Sequence, residues 1–149
     1  MANNDGKAWY DKAIEIDPTN TDAWNGKGVA LYNLEKHNEA IECYDRAVKI
    51  DPNDVSPWHH KGNALRNLGK HNEAIECYDR AVKIDPNYVL GWINKGNVLA
   101  KLGRQKDANR CFAKARELGF GKTTRKQESS DLEKQRQRRR KSIFRIFRR

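Results

Sequence analysis

Between Lys36 and Asn53 the apolar residues Ala40, Ile41, Tyr44, Ala47 and Val48 recur at the i, i+3, i+4, i+7 spacing of one buried helical stripe. Glu42, Asp45, Arg46 and Lys49 fall on the other side, so the pattern predicts an amphipathic helix with one wet face. Asn38 is placed to cap its start. Asp51-Pro52 stops it, because proline has no amide donor and disfavours helical conformation in the residue before it. Upstream, Trp24, Gly28, Leu31 and Leu34 mark a second, shorter helical stripe. The small Gly28 and Ala40 let the two backbones approach, with Trp24 and Tyr44 filling the space around them. No stretch alternates with period two, so the fold class expected is all-α.

This pair of stripes is repeated. The segment KHNEAIECYDRAVKIDPN occurs at 36–53 and again at 70–87, an offset of 34. The same offset links Trp24, Trp58 and Trp92, then Gly28, Gly62 and Gly96, then Leu31, Leu65 and Leu99. It also links Ala40, Ala74 and Ala108, the aromatics Tyr44, Tyr78 and Phe112, and Ala47, Ala81 and Ala115. Three units follow, at 21–54, 55–88 and 89–122, with a tail over 123–149. Tyr10, Ala13, Ile16, Asp17 and Pro18 lie 34 before Tyr44, Ala47, Ile50, Asp51 and Pro52, so 1–20 reads as the second half of a truncated unit. A helix pair of this kind buries its core only by stacking on its neighbours, which predicts a helix-turn-helix solenoid.

Trp, Gly, an apolar residue, Ala, an aromatic, Ala and Pro at these places in a 34-residue helix-turn-helix resemble the tetratricopeptide repeat, over roughly Asp5 to Gly121. Two departures stand out. Lys27, Lys61 and Lys95 occupy the place where that family usually has leucine, so their alkyl stems are expected to cover apolar surface while the ammonium reaches water. The third unit ends Leu118-Gly119-Phe120-Gly121 instead of Asp-Pro, where the array is expected to stop.

The resemblance implies a non-enzymatic interaction scaffold, whose concave groove, lined by the first helix of each unit, binds an extended peptide or a helix of a partner protein. The positions that would face it are Asn25, Val29, Tyr32 and Asn33 in the first unit and His59, Asn63, Arg66 and Asn67 in the second. The third unit offers Leu90, Ile93, Asn97 and Lys101. The first helices, DAWNGKGVALYN, SPWHHKGNALRN and LGWINKGNVLAK, differ chiefly at these positions, whereas the second helices of units one and two are identical. Family members that clamp chaperone C-terminal carboxylates resemble one another in placing Lys and Asn on the first groove helix, Asn on the second, and Lys plus Arg on the third. The matching places here read Asn25 and Val29, then His60, then Leu90 and Asn94, so that clamp is absent. Leu90 and Ile93 instead give the groove an apolar end.

Charge adds a second functional region. The chain has 30 basic and 20 acidic residues, yet from Lys122 onward there are 12 basic against 3 acidic, leaving 18 against 17 in the repeats. Basicity therefore belongs to the tail. Ser130-Asp131-Leu132-Glu133 reads as a capping box, predicting a helix from there, with a disordered solvating tail as the alternative. Ile143, Phe144, Ile146 and Phe147 share one helical face, with Arg145, Arg148 and Arg149 on the rest and Arg138, Arg139, Arg140 and Lys141 before them. Three partners fit this pattern: an anionic membrane surface, nucleic acid, or a protein groove. The competing class of function is thus a charge-driven binder in which the repeats only present the tail. Salt separates it from the groove, because exposed charge pairs are screened.

Other chemistry finds little support. Cys43, Cys77 and Cys111 are one position of three stacked units, and helices about 8–10 Å apart do not bring Cα atoms within the roughly 7 Å of a disulfide; small buried thiols are expected. His37, His71, His59 and His60 form no i, i+4 metal pair, so they are read as solvated turn or groove residues, and no metal or cofactor is expected. Gly121-Lys122-Thr123 lacks the earlier glycine of a phosphate-binding loop, Arg116 standing in its place. No nucleophile has an evident base partner. No apolar run reaches the length of a membrane span and no signal peptide is seen, so a cytoplasmic location is expected. The helix around Trp9 lacks an in-repeat partner, which predicts self-association.

Overall fold

The computed structural model describes residues 2–147, with side chains placed for 6–121 and 130–147. In chain order the helices are α1 (Ala2–Ile16), α2 (Thr21–Asn33), α3 (His37–Ile50), α4 (Val55–Asn67), α5 (His71–Ile84), α6 (Val89–Lys101), α7 (Gln105–Glu117) and α8 (Lys122–Phe147). No strand occurs among the described residues, in keeping with the all-α expectation. First helices begin at Thr21, Val55 and Val89 and second helices at His37, His71 and Gln105, so the sequence offset is also the structural one. The chain separates into two compact units, Met1–Ala115 and Arg116–Arg149, a division that falls inside α7.

Within each helix pair the approach is set by a glycine. A Cβ built on Gly62 would stand 2.6 Å from Tyr78 Cε1, and one on Gly96 would stand 2.6 Å from Phe112 Cε1; Gly28 meets Tyr44 in the same way. Only a residue without a side chain lets the ring lie flat on the first helix. The rings are correspondingly shut off from water: Tyr44 and Tyr78 are 1% and 0% exposed, among Ala40, Ala47, Ala74 and Ala81 at 0%. Leu65, Ile75, Val98 and Leu99 continue this core from α4 to α6, with Trp58, Trp92 and Phe112 packed against it.

The turns are built from residues that repeat too. Asp17, Asp51 and Asp85 each accept the amide two residues on, at Thr19, Asn53 and Asn87, all at 3.0 Å. The indoles of Trp24, Trp58 and Trp92 then donate to the carbonyls of Pro18, Pro52 and Pro86 at 2.8, 3.0 and 3.0 Å. Each Trp therefore ties the start of a unit to the preceding turn as well as filling the core. Asn20 and Asp54 cap α2 and α4 by accepting from Ala23 and Ser56 amides, at 3.1 Å in both cases. Asn38 does not cap α3: the helix already starts at His37, Lys36 is the capping residue, and no side-chain bond closes the end.

The lysines that replace leucine behave as amphipathic struts. Lys27, Lys61 and Lys95 reach Asp11, Asp45 and Asp79 on the preceding second helix at 2.7, 2.6 and 2.5 Å, while each ammonium stands about 6 Å from the centroid of its own Trp ring. Lys27 holds the Asp11 carboxyl below the usual carboxylate range. These pairs are half-exposed, so each contributes only about 0.2–1 kcal/mol. On α1, Trp9 and Ile16 are 68% and 82% exposed, uncovered by the described residues.

α8 starts at Lys122, eight residues before the expected capping box, and Ser130 lies inside it. The charge pattern disfavours this earlier start, since Lys122, Arg125 and Lys126 in the opening turns oppose the helix dipole, so the capping box marks the electrostatically better start but not the one adopted. Arg148 and Arg149 lie outside the described residues.

Each first helix ends in the same six-to-one, five-to-two hydrogen-bond pattern, which requires one left-handed residue. In units two and three that residue is Gly69 (φ 75°) or Gly103 (φ 78°), but in unit one it is Glu35 at φ 61°. Lys36, Lys70 and Arg104 amides close the outer bond to Leu31, Leu65 and Leu99, each at 2.9 Å. Glu35 thus adopts a conformation that costs an L-residue about 1–2 kcal/mol. Glu35→Gly is expected to raise unfolding free energy by about 0.5–1 kcal/mol, the gain being reduced by glycine's greater freedom when unfolded. Urea unfolding checks this; an unchanged or lower midpoint contradicts it.

Candidate functional site

First helices touch one another, α2 with α4 and α4 with α6, while α3 and α5 share no comparable contact. The stack therefore has an inner side formed by first helices. On it, polar side chains are joined across neighbouring units. Asn25 Nδ2 donates to Ser56 Oγ at 3.0 Å, and Asn67 Nδ2 donates to Tyr32 Oη at 2.7 Å, both linking α2 to α4. Asn94 Nδ2 meets His59 Nε2 at 2.8 Å and Asn63 Oδ1 at 3.4 Å, linking α4 to α6. Tyr78 Oη donates to Asn63 Oδ1 at 2.7 Å, which ties the network to the glycine-aromatic core.

His59 is the centre of this arrangement and is 8% exposed. It is not the solvated groove histidine that its sequence position suggests. Asn63 and Asn94 amides both point at its Nε2, so that nitrogen accepts and the proton sits on Nδ1. Tyr88 packs edge-on against the ring at 5.4 Å, and His60, next to it, stacks on Tyr44 at 5.8 Å. Burial, and then the charges of His60 and Arg66, hold the His59 pKa down to about 4. Burial lowers His60 as well.

Of the positions expected to face a ligand, the structure places Asn25, Tyr32, His59, Asn63 and Asn67 in this inter-helix network. Val29, Asn33, Arg66, Leu90, Ile93, Asn97 and Lys101 stand outside it, with Asn33, Leu90, Asn97 and Lys101 exposed. Asn94 and Tyr88, not expected at the site, complete it. The signal was in the spacing: all four of these α2–α4 and α4–α6 bonds join residues 31 or 35 apart, one repeat less three or plus one, which are adjacent places on facing helices.

The opposite flank carries clefts of a different kind. One of about 710 Å³ is lined by Trp58, Lys61, Leu65, Glu73, Cys77 and Arg80 among others. A second of about 520 Å³ repeats it one unit on, with Trp92, Lys95, Leu99, Asp107, Cys111 and Lys114. None of the expected groove residues lines either. The three cysteines at this position are buried free thiols, and burial pushes Cys77 up to about 11, so they are packing groups with little nucleophilic character. Among the described residues no cluster of His, Cys, Asp and Glu is arranged to hold a metal ion.

Helix pairs stacked in a 34-residue register, with a polar inner face shared by the first helices, define a helical repeat solenoid. Residues 21–54 and 43–76 match models of the tetratricopeptide repeat, and 62–103 match a TPR repeat model, so together the matches span more than half of the chain. The chain belongs to the tetratricopeptide repeat family. No curated protein matches it. Among solved structures it is similar to MamA, at 24% identity and a TM-score of 0.76 over 82% of this chain and 71% of that one. It is also similar to residues 41 to the end of MamA from Desulfovibrio magneticus RS-1, at 22% identity and a TM-score of 0.73, covering 78% and 66% of the two chains. A third similar structure is the second TPR domain of Spaghetti (RPAP3) bound to the HSP90 peptide SRMEEVD, at 22% identity and a TM-score of 0.64, covering 66% and 91%. These likenesses establish the fold.

The lowered pKa of His59 has a consequence for stability. An unfolded histidine takes up its proton near 6.5, whereas His59 in the fold resists it until about 4. Below pH 6.5 the unfolded chain therefore binds more protons than the folded one. Stability is full above that pH, falls by about 3 kcal/mol at most as the pH drops to about 4, and then levels off. His59→Gln is expected to flatten this decline, leaving the smaller part due to His60. Urea unfolding at pH 7 and pH 5 measures it, and an identical pH dependence in the variant counts against the buried neutral histidine.

Proposed function

We propose that this protein is a non-enzymatic interaction module that receives an extended peptide or a helix of a partner protein on the inner face of α2, α4 and α6. The observation that carries this reading is the division of labour along the first helices. One set of polar side chains is spent on joining the helices to each other, and a second set at equivalent places in other units, Val29, Asn33, Arg66, Leu90, Ile93, Asn97 and Lys101, stands clear of those bonds. Cross-linked helices hold this second set in fixed relative positions, which reduces the ordering cost of binding.

The side chains on that face favour a partner with an apolar anchor and carboxylates. Leu90, 52% exposed, and Ile93 supply an apolar end, with Arg66 and Lys101 as the cations in the set. Binding of the HSP90 peptide SRMEEVD by the second TPR domain of Spaghetti (RPAP3) supports peptide recognition on this fold. The carboxylate-clamp positions of this chain read Asn25, Val29, His60, Leu90 and Asn94, so the peptide recognised here differs in how its end is held.

Leu90→Asp combined with Asn97→Asp tests the reading, because both side chains are exposed and neither belongs to the core. Proteins captured from lysate by the full chain and retained at moderate salt are expected to be lost from this variant. They are expected to persist on a bait carrying Glu76→Lys on the opposite flank. The converse pattern, loss with Glu76→Lys alone, places the binding surface elsewhere.

A further inference from the structure

The helix α8 presents an apolar cluster that the repeats do not explain. Ile143, Phe144, Ile146 and Phe147 are 55%, 67%, 70% and 85% exposed. At 100° per residue they occupy an arc of about 160° in the last turns, with Arg145 on the opposite side. Along the same face, one to two turns earlier, stand Arg136, Arg139 and Arg140. From Ser130 to Phe147 there are seven basic residues against two acidic, and Arg148 and Arg149 follow in the sequence. The apolar arc is thus bracketed by arginine before and after it.

Which surface satisfies both parts decides the occupant. A nucleic-acid backbone would pair with the arginines but offers nothing to four large apolar side chains, and no aromatic residue is interleaved in the run Arg138 to Lys141 for base stacking. A protein groove could bury the apolar arc, yet it would need a ring of carboxylates around it to match cations on every side. An anionic lipid surface supplies both at once, with phosphates at one depth and acyl chains a few ångströms below. Among the described residues no helix is long and apolar enough to cross a membrane, so the match is to the interface plane.

We propose that the last turns of α8 dock on an anionic lipid surface, with Ile143, Phe144, Ile146 and Phe147 entering the acyl boundary and Arg136, Arg139 and Arg140 at the lipid phosphates. One and a half turns of apolar surface make a weak and reversible anchor, strengthened by each basic residue near the surface. This surface uses no residue of α2, α4 or α6, so a partner held on those helices would be carried to the membrane.

The test is flotation of the full chain with vesicles of phosphatidylcholine alone, or of phosphatidylcholine with phosphatidylserine. The full chain is expected to float with the phosphatidylserine vesicles only, and less as salt rises. F144S/F147S, which leaves every charge in place, is expected to lower the partition coefficient about tenfold or more. R136Q/R139Q/R140Q is expected to lower it similarly, and both variants leave the repeats untouched. No flotation with either vesicle overturns the proposal. Flotation undiminished in F144S/F147S also overturns it, and if duplex DNA then binds both forms equally well, α8 is a general polyanion binder.

Discussion

Each helix pair is fixed by the flat contact of an aromatic ring on a glycine backbone, Tyr44 on Gly28, Tyr78 on Gly62 and Phe112 on Gly96. A single methyl group at the glycine would collide with the ring, so the distance between the two helices has one solution, repeated three times. That distance brings the Tyr78 hydroxyl to Asn63, which connects the core to the inner face. Successive pairs are joined by a second set of contacts, in which Trp24, Trp58 and Trp92 reach back to the proline carbonyls and Lys27, Lys61 and Lys95 reach the aspartates of the preceding helix.

Repetition explains why the second helices of units one and two are identical while the first helices differ. The second helix meets nearly the same neighbours in each unit, so one set of buried residues suffices. First helices face two demands, since they must join their neighbours and also present a surface. His59, Asn63 and Asn94 meet the first demand with a half-buried polar cluster around the buried His59, which stays neutral. Such a cluster is sensitive to the loss of any member, because an unpaired buried polar group costs about 1–3 kcal/mol.

Much of this is legible in the amino-acid sequence alone. The helix pairs, their offset and the glycine-aromatic pairing follow from residue spacing, because a 34-residue period in Trp, Gly, Ala and Tyr leaves few ways to stack. The lysine struts are half legible: Lys61 can be seen to snorkel, but its partner Asp45 lies on another helix and emerges only from the packing. Burial of His59 is not legible, since a histidine on a polar first helix looks the same whether it faces water or a neighbouring asparagine. Helix starts are obscured for a related reason. Asn38 and Ser130 are residue types that cap well, but the helices containing them begin earlier, and at α3 no side-chain bond closes the end.

Function turns on which side of the repeat stack meets the partner. A photo-reactive residue placed at Asn97, on the inner face, and separately at Glu76, beside the Trp58 cleft, samples the two sides of the same fold. Irradiation in lysate is expected to give a discrete cross-linked partner from position 97 and none from position 76. Cross-linking from position 76 alone would contradict the inner-face reading and move the site to the flank of clefts.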